Sequence, residues 1–130
     1  MVHAAAGLQS REAGKAMEAL APAAPYELGT VNGFLNFALY PAYLRGEAYL
    51  AAKQGAAAAT EFQKILDHPG VVTNEVIGAL AHLGLGRAYA LGGDSAKAKT
   101  AYQDFLALWK NADPDIPILQ QARAEYAKLK

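Results

Sequence analysis

The stretch Tyr43-Leu44-Arg45-Gly46-Glu47-Ala48-Tyr49-Leu50-Ala51 is echoed by Leu83-Gly84-Leu85-Gly86-Arg87-Ala88-Tyr89-Ala90-Leu91. Gly46 and Gly86 stand 40 residues apart, and so do Tyr49 and Tyr89. The next segment keeps the same offset: Ala58 with Ala98, and Phe62 with Tyr102. Each copy therefore reads Gly-x2-Tyr, then Ala nine residues after the Tyr, then an aromatic ring four later. Shared landmarks at one offset mark an internal repeat. The spacing has a physical logic. Small residues let two antiparallel helices approach, and the rings Tyr49, Tyr89, Phe62 and Tyr102 fill the space between layers. One helix pair cannot bury its own apolar face, so neighbouring pairs must stack.

Outward from this repeat, the chain reads as all-α. Ala dominates the apolar fraction, Val, Ile and Thr are sparse, and no stretch alternates apolar and polar over the length of a strand. Punctuation predicts about six helices in one domain covering residues 1–130. The first spans about Ser10 to Ala21, with Ser10 as N-cap and Pro22 and Pro25 as stops, and a loop fills 22–33. The second spans about Phe34 to Lys53, with Pro41 kinking it or marking its true start. The third covers about Ala56–Asp67 and ends at His68-Pro69-Gly70. The fourth follows the N-cap Asn74 and runs to Leu91, where Gly92-Gly93 stops it. Asp94 or Ser95 caps the fifth, which reaches about Lys110. After a turn over 111–115, the sixth occupies about Pro117–Leu129.

The landmarks Gly46, Tyr49, Ala58, Phe62, Gly86, Tyr89, Ala98 and Tyr102 resemble the heart of the tetratricopeptide (TPR) pattern, W-x2-L-G-x2-Y, A-x3-F. Ala42 and His82 stand where that family commonly has Trp. Arg45 stands where it has the first Leu, which Leu85 keeps in the second copy. The resemblance implies a TPR-like α-solenoid of antiparallel helix pairs with right-handed superhelical stacking. Its expected parts are a half repeat at 10–21, repeats at 34–67 and 75–110, and a polar capping helix at 117–129. The offset exceeds the usual 34-residue period, and the extra residues are expected around His68–Asn74. Carried over from the family, the concave groove presents Tyr40, Tyr43, Glu47 and Leu50 from the first repeat. The second contributes Leu80, Leu83, Arg87 and Ala90. Arg87 and Glu47 are expected to pair across repeats, in an ion pair that serves either the fold or a ligand. The family's carboxylate-clamp groove uses Lys and Asn at such positions, so an aromatic-apolar groove here fits an amphipathic or apolar helix better. The Ala-Pro-Tyr-Glu-Leu-Gly loop, Phe-Gln-Lys-Ile-Leu-Asp-His-Pro-Gly and Asp113-Pro114-Asp115-Ile116-Pro117 look like the C-terminal TPR region of bacterial, notably acidobacterial, serine/threonine protein kinases. Similar regions follow winged-helix regulators. The likeness spans most of residues 14–130 and implies a tail of a larger signalling protein, without its catalytic domain.

Composition narrows the chemistry. The 130 residues carry 12 basic and 12 acidic side chains, 53% hydrophobic residues and no Cys. Zero net charge argues against a nucleic-acid binder or a polybasic membrane-surface segment. No apolar run is long enough for a transmembrane helix, and no signal peptide is read. The histidines His3, His68 and His82 form no H-x3-H pair, so no metal is expected. His68 is expected at a helix end, where an imidazolium suits the dipole. Gly84-x-Gly86 serves packing, Gly92-Gly93 is a helix stop, and Gly14-Lys15 lacks the preceding Gly of a phosphate loop. Lys97, Lys99 and Lys110 read as a solvated face, and Trp109 as an anchor against the sixth helix. No nucleophile stands beside a base, so neither catalysis nor a cofactor is expected. The expected function is a non-catalytic scaffold that binds a peptide or helix of a partner protein in its groove. The alternatives are self-association through Ala13, Ala16, Met17 and Leu20, as a homodimer, or a small-molecule sensor pocket. The location stays open, with the cytoplasm favoured.

Overall fold

A computed structural model describes residues 2–26, 39–68 and 77–129. Six α-helices and one short 3₁₀ helix account for most of them, and no strand occurs among the described residues. The helices are α1 (Val2–Leu20), α2 (Tyr40–Ala51), α3 (Gly55–Leu66), α4 (Ile77–Leu91), α5 (Ser95–Leu108) and α6 (Pro117–Ala127). The fold class is all-α, as the composition implies.

Local chemistry explains most boundaries. Pro41 sits in the first turn of α2 and marks its start rather than kinking it. Its ring presets a helical φ where no N–H partner is needed. Pro117 does the same for α6. The Asp94 carboxylate accepts the Lys97 N–H at 3.1 Å and caps α5. The expected start at Ser10 is corrected: α1 runs unbroken from Val2 through Ser10. Ala4-Ala5-Ala6 and Leu8 favour helix, and a Ser inside a helix costs only about half a kcal/mol, so nothing forces a cap there. The first part of the expected 22–33 loop is 3₁₀ helix, Ala21–Tyr26. Residues 34–38 of the second expected segment, the cap Asn74, and the connection proposed to hold the extra residues lie outside the described ones.

The repeat appears in the backbone. The turn 52–54 and the turn 92–94 make the same three hydrogen bonds, 40 residues apart. Ala52, Lys53 and Gln54 N–H bond to Ala48, Leu50 and Tyr49 O, while Gly92, Gly93 and Asp94 N–H bond to Ala88, Ala90 and Tyr89 O. This is a Schellman ending, with Lys53 at φ 61 and Gly93 at φ 80. Each turn folds one helix back on the next, so α2–α3 and α4–α5 are helical hairpins.

The interior follows from α4, which is apolar nearly all round and buries Ile77, Ala81, Leu83, Gly84, Leu85, Gly86 and Ala88. Such a helix must be covered on several sides. It packs against α2, α3 and α5. One core cluster joins Ala42, Ala58, Phe62, Ile65, Ile77, Ala81, Leu85 and Ala88, and Leu83, Tyr102, Phe105, Leu119 and Ala122 form a second one toward α6. The fully buried Phe62 ring is held between two glycines. A Cβ on Gly46 would come within 2.6 Å of that ring, and one on Gly84 within 2.5 Å. On Gly86 it would come within 2.8 Å of Tyr102. Ala58 and Ala98 are also fully buried, whereas Tyr49 and Tyr89 lie at the edge of the first cluster. Trp109 stacks on Phe105, ring centroids 5.0 Å apart, within the second cluster.

Candidate binding grooves

The groove-facing residues expected from the sequence divide into three groups. Leu50, Arg87 and Ala90 come together. They line a cavity of ≈ 440 Å³ with Lys53, Leu91, Tyr102, Glu125, Lys128 and Leu129, where the ends of α2 and α4 meet α6. Glu47 instead faces a separate groove of ≈ 620 Å³ between α1 and α2. Its other lining residues include Glu12, Ala16, Leu20, Leu44 and Ala48. The rest pack on the core. Tyr40 and Tyr43 rest on the first cluster, with Tyr43 edge-on to Phe62 at 5.9 Å. Leu80 rests on the second cluster. Leu83 is a correction: it is 1% exposed and packs against α5 and α6. Helix α6 covers a face of α4 that would be open if the second repeat ended the structure.

A charge network spans the first groove. The Arg87 fork reaches Glu125 through Nε at 2.9 Å and a terminal nitrogen at 3.0 Å. The Tyr102 hydroxyl donates to the same carboxylate at 2.7 Å. This corrects the expected pairing, because the fork is bidentate on Glu125 of α6 rather than on Glu47. A planar guanidinium meets a carboxylate best in this two-pronged way. Burial alone would raise the Glu125 carboxyl. The hydrogen bonds from Arg87 and Tyr102, with the Arg87 and Lys128 charges, outweigh it and hold the carboxyl below its ordinary value. Burial and the bonded carboxylate push the Tyr102 hydroxyl well up.

Glu47 has the opposite balance. Burial raises its carboxyl above the ordinary value, against the pull of the Arg87 charge and a hydrogen bond from Tyr43. Burial and the Glu47 charge push the Tyr43 hydroxyl up to about 12. Glu47 is thus a desolvated carboxylate that feels a cation without being bonded to it in the way Glu125 is.

The other sequence candidates serve the helices. The His68 ring donates from Nδ1 to the Lys64 carbonyl at 2.8 Å, closing the end of α3. His82 lies 3.8 Å from Asp104, and burial lowers its pKa despite that neighbour. Lys97 lies 5.5 Å over the Tyr89 ring. No cluster of His, Cys, Asp or Glu among the described residues has the composition of a metal site. Among the described residues, no helix is long and apolar enough to cross a membrane.

Sequence reasoning missed Lys53, Leu91, Glu125, Lys128 and Leu129 in the first groove, and Leu44 in the second. Glu125 carries a faint signal. It follows Arg87 by 38 residues, close to the repeat offset, in a segment whose Ala-x-Glu-Tyr echoes the first helix of each copy. Comparison with family models, with curated proteins and with solved structures finds no match for this chain.

Proposed function

We propose that this chain is a non-catalytic interaction module of TPR-like design, which takes a peptide or short helix of a partner protein into the groove at the ends of α2, α4 and α6. The observation that carries this reading is the make-up of that groove. Leu50, Ala90, Leu91 and Leu129 supply an apolar surface, Lys53 and Lys128 stand at its rim, and Arg87 and Glu125 lock its walls together. Leu91 is 43% exposed, an unusual state for a large apolar residue in the middle of a cavity wall. A concave surface with an apolar floor and a few fixed polar groups suits a short apolar segment. The two hairpins with equal turns support the solenoid reading. The likeness to kinase C-terminal regions suggests recruitment of substrates or regulators to a larger signalling protein.

Peptide-library selection on the whole chain, followed by titration of the selected peptides, tests this. Ala90→Glu places a charge on an exposed groove position and is expected to weaken binding at least about tenfold, roughly 1.4 kcal/mol, with an unchanged melting temperature. Failure to select any peptide, or binding indifferent to both Ala90→Glu and Leu91→Glu, would overturn the reading.

A further inference from the structure

The groove between α1 and α2 lies apart from the one just described, and its register shows what is missing from it. Helix α4 matches α2 at an offset of 40, so Leu44, Glu47, Ala48 and Ala51 correspond to Gly84, Arg87, Ala88 and Leu91. The α4 set is covered. Gly84 meets the Phe62 ring, and Ala88 and Leu91 meet Gly55 of α3. Arg87 feels the charge of Glu47 on α2. Thus α4 is flanked by a preceding helix, α2, and by the helix between them, α3. On the α2 side only the second flank exists among the described residues, and α1 supplies it. The place of a preceding helix is the groove lined by Glu12, Ala16, Ala19, Leu20, Leu44 and Glu47. Leu44 is 49% exposed there.

Charge identifies the occupant. Across α2, α4 and α6 the corresponding positions alternate in sign: Glu47, Arg87, Glu125. Each contact between successive helices sets one carboxylate against one cation. A helix preceding α2 continues the alternation only with a cation. The groove agrees, because its charged lining residues are Glu12 and Glu47, and no Lys or Arg lines it. A second copy of α6 fits badly, since it would bring the carboxylate of Glu125 toward that of Glu47. Packing adds a second requirement. Phe62 is met by Gly46 from the helix before it, and Leu20 stands where Phe62 stands in the next repeat. The incoming helix needs a small residue opposite Leu20.

We propose that the α1–α2 groove receives a basic amphipathic helix of a partner protein, which sets a Lys or Arg between Glu12 and Glu47 and packs a small residue and apolar neighbours on Leu20 and Leu44. Binding here is attraction between a partly desolvated carboxylate and a cation, laid over an apolar contact.

The test uses the whole chain and two labelled 16-residue Ala/Leu helical peptides, identical except for Arg or Glu at one central position of the apolar-facing side. Fluorescence anisotropy is expected to show the Arg peptide binding at least about tenfold tighter than the Glu peptide. Glu47→Gln should shrink that ratio, Glu47→Arg should invert it, and Leu44→Glu should abolish binding of both, with thermal melts confirming that each variant folds. Equal affinities, no binding, or a preference that ignores Glu47→Gln overturns the proposal. Loss of binding through Ala90→Glu rather than Leu44→Glu would assign the peptide to the other groove and also overturn it. Sedimentation that shows a dimer dissociated by Leu44→Glu would give the groove to a second copy and overturn it as well.

Discussion

At the scale of single residues, the packing turns on what is absent. Phe62 fits because Gly46 and Gly84 present bare backbone to both its faces. An added methyl would require the ring to move, and the ring has no free side to move into. Gly84→Ala is expected to destabilise the fold by about 1–3 kcal/mol, read as a lowered denaturation midpoint at unchanged slope. Adding Phe62→Leu should return part of that loss, because a smaller side chain vacates the volume. Additive losses in the double variant would show that the ring is not the obstacle. The landmark glycines were legible because a small residue four before a large one, repeated at a fixed offset, has few purposes besides close approach. Arg45 was not legible in the same way. It stands where Leu85 stands in the other copy and is equally removed from water, at 8% exposure. It survives burial because Glu61 of α3 meets its guanidinium at 3.0 Å, a long-range pairing that no local pattern announces.

At the scale of elements, the two Schellman turns use the same geometry with different residues. Gly93 adopts φ 80 at little steric cost, while Lys53 holds φ 61 with its Cβ crowded against backbone. Lys53→Gly should therefore stabilise the chain by about 0.5–1 kcal/mol, the relief of left-handed strain less the extra freedom of Gly in the unfolded state. Gly93→Ala should cost about 1 kcal/mol. Thermal melts of both variants check the pair, and a Lys53→Gly variant less stable than the parent would refute the strain. Helix ends of this kind were readable, since Gln54-Gly55 and Gly92-Gly93 follow periodic apolar segments. The start of α1 was not. Ser10 has the chemistry of a cap, and only the helix-favouring residues before it decide that the backbone continues. Leu83 was misplaced for an element-scale reason too. Its face of α4 looks open in a two-repeat frame, and α6 closes it with Leu119 and Ala122.

At the scale of the whole molecule, α6 is joined to the rest by one small core cluster and one charged clasp, whereas α3 and α4 share the larger core. The clasp makes this attachment sensitive to acid, and the sign follows from the carboxyl. Glu125 is held below its ordinary value in the folded chain, so its contribution is present at pH above the ordinary carboxylate range and is lost as pH falls through the lowered folded value. Glu47 contributes oppositely. Its carboxyl is raised, so its contribution is greatest when protonated and fades as pH rises through its folded value. Acid thus weakens the α6 end while easing the burial of Glu47 on α2. Hydrogen exchange from neutral pH down to about pH 3 should show the amides of Leu119–Ala127 losing protection before those of α3 and α4. Glu125→Gln keeps the shape and removes the charge. It should lower α6 protection at neutral pH by about 1 kcal/mol and flatten the acid-dependent loss. Simultaneous loss of protection in α4 and α6, in parent and variant alike, would mean that the clasp does not govern how the helix is held. The groove that depends on Arg87 and Glu125 would then owe its shape to the Leu83–Leu119–Ala122 contact alone.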